Sequence, residues 1–284
     1  MFKAALHSGS GKPRRRATVS SPHKPAGRKL LEWRGRIDQH FGYGSSEASR
    51  SLYLEDGGQY AALLQAELEQ PVSLGTTIIA ASYAGGVVLG ADSRTTTGNY
   101  IANRVTDKIT PLAENVYICR SGSAADTQAI SAYVQWFLQQ HAVDLDRHVS
   151  VKTAAKLAQT MVYQNKNMLQ AGLIIAGWDK QGGGSVHTVP LGGTLLQVPY
   201  SIGGSGSAYI TGLCDKLWRP HMTQQECHEF VVKAVTHAMA RDGSSGGCIR
   251  TVTISKDGVK RDFLPHTRVP IAYGEMQQPM SVGA

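Results

Sequence analysis

The chain has 284 residues, which allows one large domain or two small ones, and 42% of them are hydrophobic, as in ordinary globular proteins. Its net charge of +8 comes from one end, because residues 1–36 carry ten Lys or Arg against the single acid Glu32, whereas the other 248 residues carry 19 basic and 20 acidic side chains. The longest apolar runs, such as Leu173–Gly177, are far shorter than the roughly 20 residues of a membrane-spanning helix.

The basic arm leaves four interpretations open. It can be a solvated tail, which the composition favours, a nuclear address, a nucleic-acid-binding arm or, since it contains Arg and Ser and few acids, a mitochondrial transit peptide. It lacks the apolar stretch of a secretory signal. The remainder of the chain is close to neutral, which argues against nucleic-acid binding by the folded part.

The four cysteines are widely spaced and form no C-x-x-C pair: Cys119, Cys214, Cys227 and Cys248. This spacing argues against a zinc site or a disulfide framework and fits a reducing compartment. We expect four small, buried apolar side chains.

In chain order, residues 1 to about 50 are rich in Ser, Gly, Pro and basic residues, which is typical of disorder, and a short helix is predicted at 60–69. A β-rich hairpin follows at 77–83 and 87–91. After it the pattern predicts a strand (116–121), two helices (124–141 and 151–169), three strands (173–178, 186–189 and 194–198), two helices (207–218 and 224–241) and a final hairpin (249–255 with 259–264).

Strands in blocks, separated by pairs of helices, favour antiparallel sheets with the helices on their outer faces. The prediction is an α+β fold, a four-layer αββα sandwich of two antiparallel sheets. It begins at Thr76 and continues to 284, with a C-terminal tail after about 265, and residues 1–75 precede it as a separate basic segment.

The first candidate catalytic residue is Thr76 in Leu74-Gly75-Thr76, where a hydroxyl residue follows glycine and precedes a predicted strand. A threonine hydroxyl is a poor nucleophile and needs a base. If Thr76 were the first residue, its own α-amine, with a reference pKa of about 8, could take the hydroxyl proton. That arrangement requires a cut between Gly75 and Thr76, and glycine there leaves the carbonyl open to approach.

Such a nucleophile needs a nearby cation, and Asp92 and Lys108 can supply an ion pair 16 and 32 residues after Thr76. Two Gly/Ser-rich segments, 203–207 and 241–247, adjoin predicted helices and can supply small polar groups. The first lacks the G-K-[ST] ending of a phosphate-binding loop, so a phosphate site is not expected.

From Thr76 to about Pro265 the chain resembles the catalytic β-type subunits of the 20S proteasome. The matching stretches are GTTIIA (75–80), GADSRTTTG (90–98), VTDKI (105–109), CRSGSAADTQ (119–128), GGSGSAYI (203–210) and RDGSSGG (241–247). The resemblance implies an N-terminal-nucleophile hydrolase made as a zymogen, with Gly75–Thr76 cut by the chain itself. It also implies roles for seven residues: Thr76 as nucleophile and base, Lys108 held by Asp92, the Gly122 N–H as oxyanion donor, and Ser205, Asp242 and Ser245 orienting the amine and a water.

The run that begins at Arg120 is similar to the β1, caspase-like type, in which this arginine lies at the base of the pocket for the residue before the cut. A buried guanidinium needs an anionic partner, which a substrate Glu or Asp supplies. By the same resemblance the pocket is lined by Thr95, Thr106, Thr110, Arg120, Ala124 and Gln128.

The resemblance further implies other α and β subunits as partners in a stacked-ring particle, unfolded polypeptides as substrates, and a cytoplasmic and nuclear location. It also implies that no metal or organic cofactor is required. Two alternatives remain: a bacterial-type threonine protease that works with an unfolding ATPase, and a non-catalytic structural ring subunit. A nucleic-acid-binding protein is a third, but it depends only on the arm that the cut removes.

Overall fold

The structure is a computed structural model that describes residues 74–145 and 148–270. These residues form two five-stranded antiparallel sheets, a two-stranded ribbon and four α-helices. The strands are β1 (Ile78–Tyr83), β2 (Gly86–Ala91), β3 (Thr95–Thr97), β4 (Tyr100–Asn103), β5 (Ile109–Ala113), β6 (Val116–Gly122), β7 (Ala171–Asp179), β8 (Gly183–Val189), β9 (Leu196–Val198), β10 (Tyr200–Gly203), β11 (Ile249–Ser255) and β12 (Gly258–Leu264). The helices are α1 (Ala124–Leu145), α2 (Val151–Gln164), α3 (Ser207–Leu217) and α4 (Gln224–Arg241), and a short 3-10 helix covers His266–Arg268.

The first sheet has the order β10-β1-β2-β11-β12, and α3 and α4 cover its outer face. Alternation along β1 decides which side chain faces which layer. Ile79 and Ala81 pack with the helices, whereas Ile78 and Ala80 enter the layer between the two sheets. Both faces of β1 are therefore apolar, as a strand between two packed layers requires.

The second sheet has the order β5-β6-β7-β8-β9 and is covered by α1 and α2. On β7, Leu173 and Ile175 pack against these helices, whereas Ile174 and Ala176 face the first sheet. Three apolar clusters thus separate four layers, and the predicted αββα sandwich is confirmed.

The largest differences from the predicted boundaries lie at helix ends. Helix α2 ends at Gln164, five residues before the predicted end, where Asn165 caps it and donates from its side chain to the Met161 carbonyl. Helix α4 begins where predicted, because Thr223 and Glu226 form a capping box. Helix α1 continues to Leu145, four residues beyond the predicted end.

Four short strands were not predicted from the sequence: β3, β4, β5 and β10. Each has five residues or fewer, so none shows the alternation from which a strand is predicted. The predicted helix at 60–69 and the basic arm lie outside the described residues. Within the described ranges, no helix is long and apolar enough to cross a membrane.

The pairing of β1 with β2 places the functional residues. Ile78 pairs with Ala91 in this hairpin, so the residues just before β1 and just after β2 lie at the same edge of the sheet. Those residues include Thr76 and Asp92.

Candidate active site

Thr76 lies at this sheet edge and is 5% exposed. Its Oγ1 donates to the carbonyl oxygen of Gly75 at 2.5 Å, so the hydroxyl lies against the peptide group that joins the two residues. The space is confined, because a Cβ on Gly75 would lie 2.2 Å from both the Cβ and the carbonyl oxygen of Ser244. Glycine is therefore the residue that fits before Thr76.

Asp92 and Lys108 form a buried ion pair beside Thr76, with 2.7 Å between Nζ and Oδ1. Four donors satisfy the carboxylate: Oδ1 accepts from Lys108 and the Thr77 N–H, and Oδ2 accepts from the backbone N–H groups of Arg94 and Gly246. Burial of a charge is costly unless it is paired and hydrogen-bonded, and here both conditions hold.

The Lys108 ammonium has three acceptors for its three protons. Nζ donates to Asp92 at 2.7 Å, to the Arg94 carbonyl at 2.6 Å and, more weakly, to the Gly75 carbonyl at 3.4 Å. Burial lowers the pKa of Lys108, and the Asp92 carboxylate opposes that shift in part. The contact with Gly75 places the positive charge of Lys108 near the carbonyl oxygen that would become negative during attack on the Gly75 carbonyl carbon.

A hydroxyl network holds the nitrogen of Thr76. The Thr76 N–H donates to Ser205 Oγ at 3.1 Å, and Ser205 donates to Asp242 Oδ2 at 2.6 Å. Ser245 donates to the same oxygen at 2.6 Å and lies 2.7 Å from Thr77 Oγ1, which must be the donor because the Ser245 proton is already committed. These hydrogen bonds link three segments that are distant in sequence, 76–77, 205 and 242–245, into one network that ends at the Thr76 nitrogen.

Gly122 is the last residue of β6 and has φ of +100°, in the region that favours glycine. A Cβ there would lie 2.1 Å from the Gln170 carbonyl oxygen, so glycine is required sterically as well. Its role as oxyanion donor stays a prediction.

The predicted pocket residues fall into two connected pairs and two residues on α1. Arg120, 8% exposed, donates from Nε to Thr110 Oγ1 at 3.0 Å and from Nη2 to the Asp107 carbonyl at 2.6 Å. Thr95 and Thr106 share a hydrogen bond of 2.8 Å between their hydroxyls. Ala124 opens α1, and Gln128 lies on its next turn with an exposed side chain.

The Arg120 guanidinium is buried, and no carboxylate among the described residues forms an ion pair with it. Burial lowers its pKa, and the Asp107 charge opposes that shift in part. Its Nη1 has no acceptor within the part of the chain that the structure describes. A buried guanidinium with a free donor edge is suited to receive an anionic group.

Two arginines from the last hairpin hold the segment that carries Thr106 and Lys108. Arg250 donates to the carbonyls of Val105 and Thr106 at 3.1 and 3.0 Å. Arg261 pairs with Asp107 at 2.6 Å. Sequence reasoning missed both, since neither lies in a motif and their partners are about 145 and 154 residues away.

Sequence reasoning also missed Thr96 and Ser93. Thr96 Oγ1 accepts the Gly75 N–H at 2.9 Å, and Ser93 Oγ bridges the Arg104 carbonyl and the Cys248 N–H. No local pattern indicated either residue, because Thr95–Thr97 is a run of three threonines and only the structure shows that the middle one is buried.

The described residues contain no group of three or more His, Cys, Asp or Glu that could hold a metal ion. All four cysteines are buried, as expected for small apolar side chains. The structure gathers a hydroxyl, an ammonium, a carboxylate and small polar groups around Thr76, and these are the groups that acyl transfer to a threonine would require.

The fold is an α+β sandwich of the N-terminal-nucleophile hydrolase class. The family model of the proteasome subunit matches residues 72–254. A proteasome subunit beta type-6 from Arabidopsis thaliana is 53% identical over 215 residues, covering 76% of this chain and 92% of the relative. The beta type-6 subunit of Dictyostelium discoideum is 57% identical over 203 residues (72% and 95%), and the beta type-1 subunit of Saccharomyces cerevisiae is 50% identical over 190 residues (67% and 88%). The chain belongs to the proteasome subunit family, as a β subunit.

Proposed function

We propose that this β subunit is the precursor of a threonine endopeptidase that cuts peptide bonds after acidic residues. The observation that supports this most directly is the Thr76 hydroxyl, placed 2.5 Å from the Gly75 carbonyl oxygen with the Lys108–Asp92 pair beside it. As a proteasome β subunit it assembles with other α and β subunits in stacked rings. Unfolded polypeptides are the proposed substrates, in the cytoplasm and nucleus.

The first reaction is a self-cleavage. Thr76 Oγ attacks the Gly75 carbonyl carbon as its proton leaves to a base, and the negative charge that develops on the carbonyl oxygen is offset by Lys108. The C–N bond then breaks, the Thr76 nitrogen takes a proton, and Gly75 is left as an ester on Oγ. A water hydrolyses the ester, which releases residues 1–75 with a C-terminal carboxylate and leaves Thr76 with a free amine and hydroxyl.

The same groups then act on substrates. The freed amine takes the Thr76 hydroxyl proton as Oγ attacks a substrate carbonyl, and the amine returns the proton to the leaving nitrogen. A water, deprotonated by the same amine, hydrolyses the acyl ester. Lys108 keeps the neighbouring amine neutral by repulsion between like charges, and Ser205 and Asp242 orient it. The Gly122 N–H is the proposed oxyanion donor.

Preference for acidic residues is assigned to Arg120. Its Nε and Nη2 are held by Thr110 and the Asp107 carbonyl, so the guanidinium is fixed before the substrate arrives. A substrate carboxylate would supply the missing negative partner. Thr95, Thr106, Ala124 and Gln128 complete the proposed pocket.

The decisive experiment measures the N-terminus and the activity of the assembled particle. We expect the intact mass of the mature subunit to begin at Thr76. In Thr76→Ala particles the subunit should keep Gly75, and hydrolysis after glutamate should fall to background, whereas the exposed Thr211→Ala control should behave as wild type.

This experiment also separates the alternative functions. Undiminished cleavage after glutamate in Thr76→Ala particles would indicate a non-catalytic ring subunit. A mature start elsewhere than Thr76 would exclude the proposed nucleophile. The bacterial-type protease with an ATPase partner has less support, since the relatives reported above are named as proteasome β subunits.

A further inference from the structure

The peptide unit that is to be cut is held at two points, and the N–H of Gly75, in the unit before it, is held at a third. The Thr76 N–H donates to Ser205 Oγ at 3.1 Å, the Gly75 carbonyl oxygen lies 3.4 Å from Lys108 Nζ, and the Gly75 N–H donates to Thr96 Oγ1 at 2.9 Å. Together these contacts fix both flanks of the bond between residues 75 and 76. Fixing a reacting carbonyl against its nucleophile is a large part of what intramolecular catalysis achieves.

The three contacts differ in what remains of them after the cut. Ser205 and Lys108 stay beside Thr76 and have roles in the proposed mature enzyme. The Thr96 hydroxyl, on a side chain 4% exposed in β3, accepts from the Gly75 N–H, and within the described ranges it has no hydrogen bond to a residue that remains after the cut. This hydroxyl therefore has a use in the precursor that disappears with Gly75.

A substrate cannot take over the position of Gly75 unchanged. The proposed substrates carry an acidic side chain before the cut, and a Cβ at the Gly75 position would lie 2.2 Å from Ser244 Cβ and the Ser244 carbonyl oxygen. The backbone of such a substrate must lie elsewhere. The Thr96 contact, as the structure shows it, belongs to the cut within the chain and not to the cutting of other chains.

We propose that Thr96 is a positioning residue specific to the self-cleavage step. The inference rests on the proposed self-cleavage at Gly75–Thr76. Thr96 acts through Gly75: by accepting its N–H it fixes the rotation of the Gly75 unit, and so keeps the carbonyl carbon in reach of Thr76 Oγ. Removing that acceptor leaves a buried N–H without a partner and frees the carbonyl to turn away.

The test compares three full-length variants in assembling particles: Thr96→Val, which keeps the shape but loses the acceptor, Thr96→Ser, which restores it, and Thr97→Val, a control at the exposed neighbour. The rate of conversion to a Thr76 start is followed by intact mass. We expect Thr96→Val to convert about tenfold more slowly, equivalent to about 1.4 kcal/mol in the barrier. Thr96→Ser and Thr97→Val should convert within about twofold of wild type.

A second measurement separates positioning from general damage to the site. Each variant is also produced so that it starts at Thr76, by removing a fused leader with a separate protease, and hydrolysis after glutamate is measured in the assembled particle. Thr96→Val should lose no more than about threefold in kcat/KM here. An equal loss in both assays, wild-type conversion by Thr96→Val, or failure of Thr96→Ser to restore conversion would overturn the proposal.

A third measurement applies if Thr96→Val particles assemble poorly. In a Thr76→Ala background, which keeps the bond intact, amide exchange of Gly75 should be faster with Thr96→Val than with Thr96→Ser. Equal exchange would contradict the proposed contact. Full conversion of Thr76→Ala alone would instead refute self-cleavage itself, so failure of the function and failure of this inference give different results.

Discussion

The site around Thr76 and the pocket around Arg120 are both buried and charged, yet their charged groups differ in how many hydrogen-bond partners they have. At Thr76 the ammonium of Lys108 has three acceptors and the carboxylate of Asp92 has four donors. In the pocket, Arg120 has two fixed donor atoms and a free Nη1 among the described residues. The first region is complete before any substrate binds, whereas the second lacks one negative partner. The proposed function requires this difference, since a reaction centre must be fixed in advance and a pocket for acidic residues must leave a positive charge to be paired.

The strongest test of this contrast removes the cation of the centre. Lys108→Met should lower hydrolysis by about 10²–10³-fold, since the cation that assists self-cleavage and keeps the Thr76 amine neutral is lost. It also leaves the Asp92 carboxylate buried without its counter-ion, which should cost about 3–5 kcal/mol of folding stability. Peptidase assays and thermal unfolding of assembled particles measure both, with exposed Lys256→Met as the control. Near-normal activity would show that the ion pair is structural only.

Removing the pocket cation should change preference more than rate. Arg120→Met is expected to lower kcat/KM for a substrate with glutamate before the cut by about 10–100-fold, and by no more than about threefold for a matched substrate with leucine there. Exposed Arg268→Met serves as the control. Equal losses on both substrates would contradict the pocket assignment.

Raising the pH removes the Lys108 charge gradually, without a substitution. Burial lowers the pKa of Lys108, so the ammonium should lose its proton below the ordinary lysine value of about 10.4. Activity should therefore decline on the alkaline side before an ordinary lysine would titrate. Between the two pKa values the unfolded chain binds more protons than the folded one, so the contribution of this group to stability rises with pH across that window. Unfolding curves of wild type and Lys108→Met across alkaline pH measure the difference, and parallel curves would contradict it.

The smallest effect is expected at the rim of the pocket. Arg261→Met removes a half-exposed ion pair to Asp107, and such pairs contribute little, up to about 1 kcal/mol. Because the Asp107 carbonyl accepts from Arg120, we expect a loss of about twofold to fivefold that is confined to the acidic substrate. Asp107→Asn should act alike, and the double variant should lose no more than either single one. Additive losses would show that the two side chains act independently.

The sandwich could be predicted because its long elements carry their own periodic patterns. The hairpin Ile249–Leu264 and helix α4 have the predicted boundaries to within one residue. The end of α2 could not be predicted as well, since Asn165 stops the helix with a hydrogen bond that composition does not reveal. The short ribbon of β3 and β4 contacts other segments through Thr95 and Thr96, and the local sequence pattern does not predict such contacts.

The site shows the same division. Thr76, Asp92 and Lys108 lie within continuous motifs, so they could be proposed from the sequence and the structure brings them together. Thr96, Arg250 and Arg261 act through hydrogen bonds and an ion pair to groups in other segments of the chain. Nothing in a single sequence distinguishes such residues from ordinary surface side chains.

The tight fit of Gly75 against Ser244 has a genetic consequence. A missense change at that codon alters no proposed catalytic group, yet a Cβ there would lie 2.2 Å from the Cβ and the carbonyl oxygen of Ser244, so the segment would have to shift. If the proposed self-cleavage holds, such an allele should encode a full-length polypeptide that is not converted to an enzyme. Two cells could then hold equal amounts of this subunit and differ entirely in its activity, so the quantity of protein would be a poor measure of what it does.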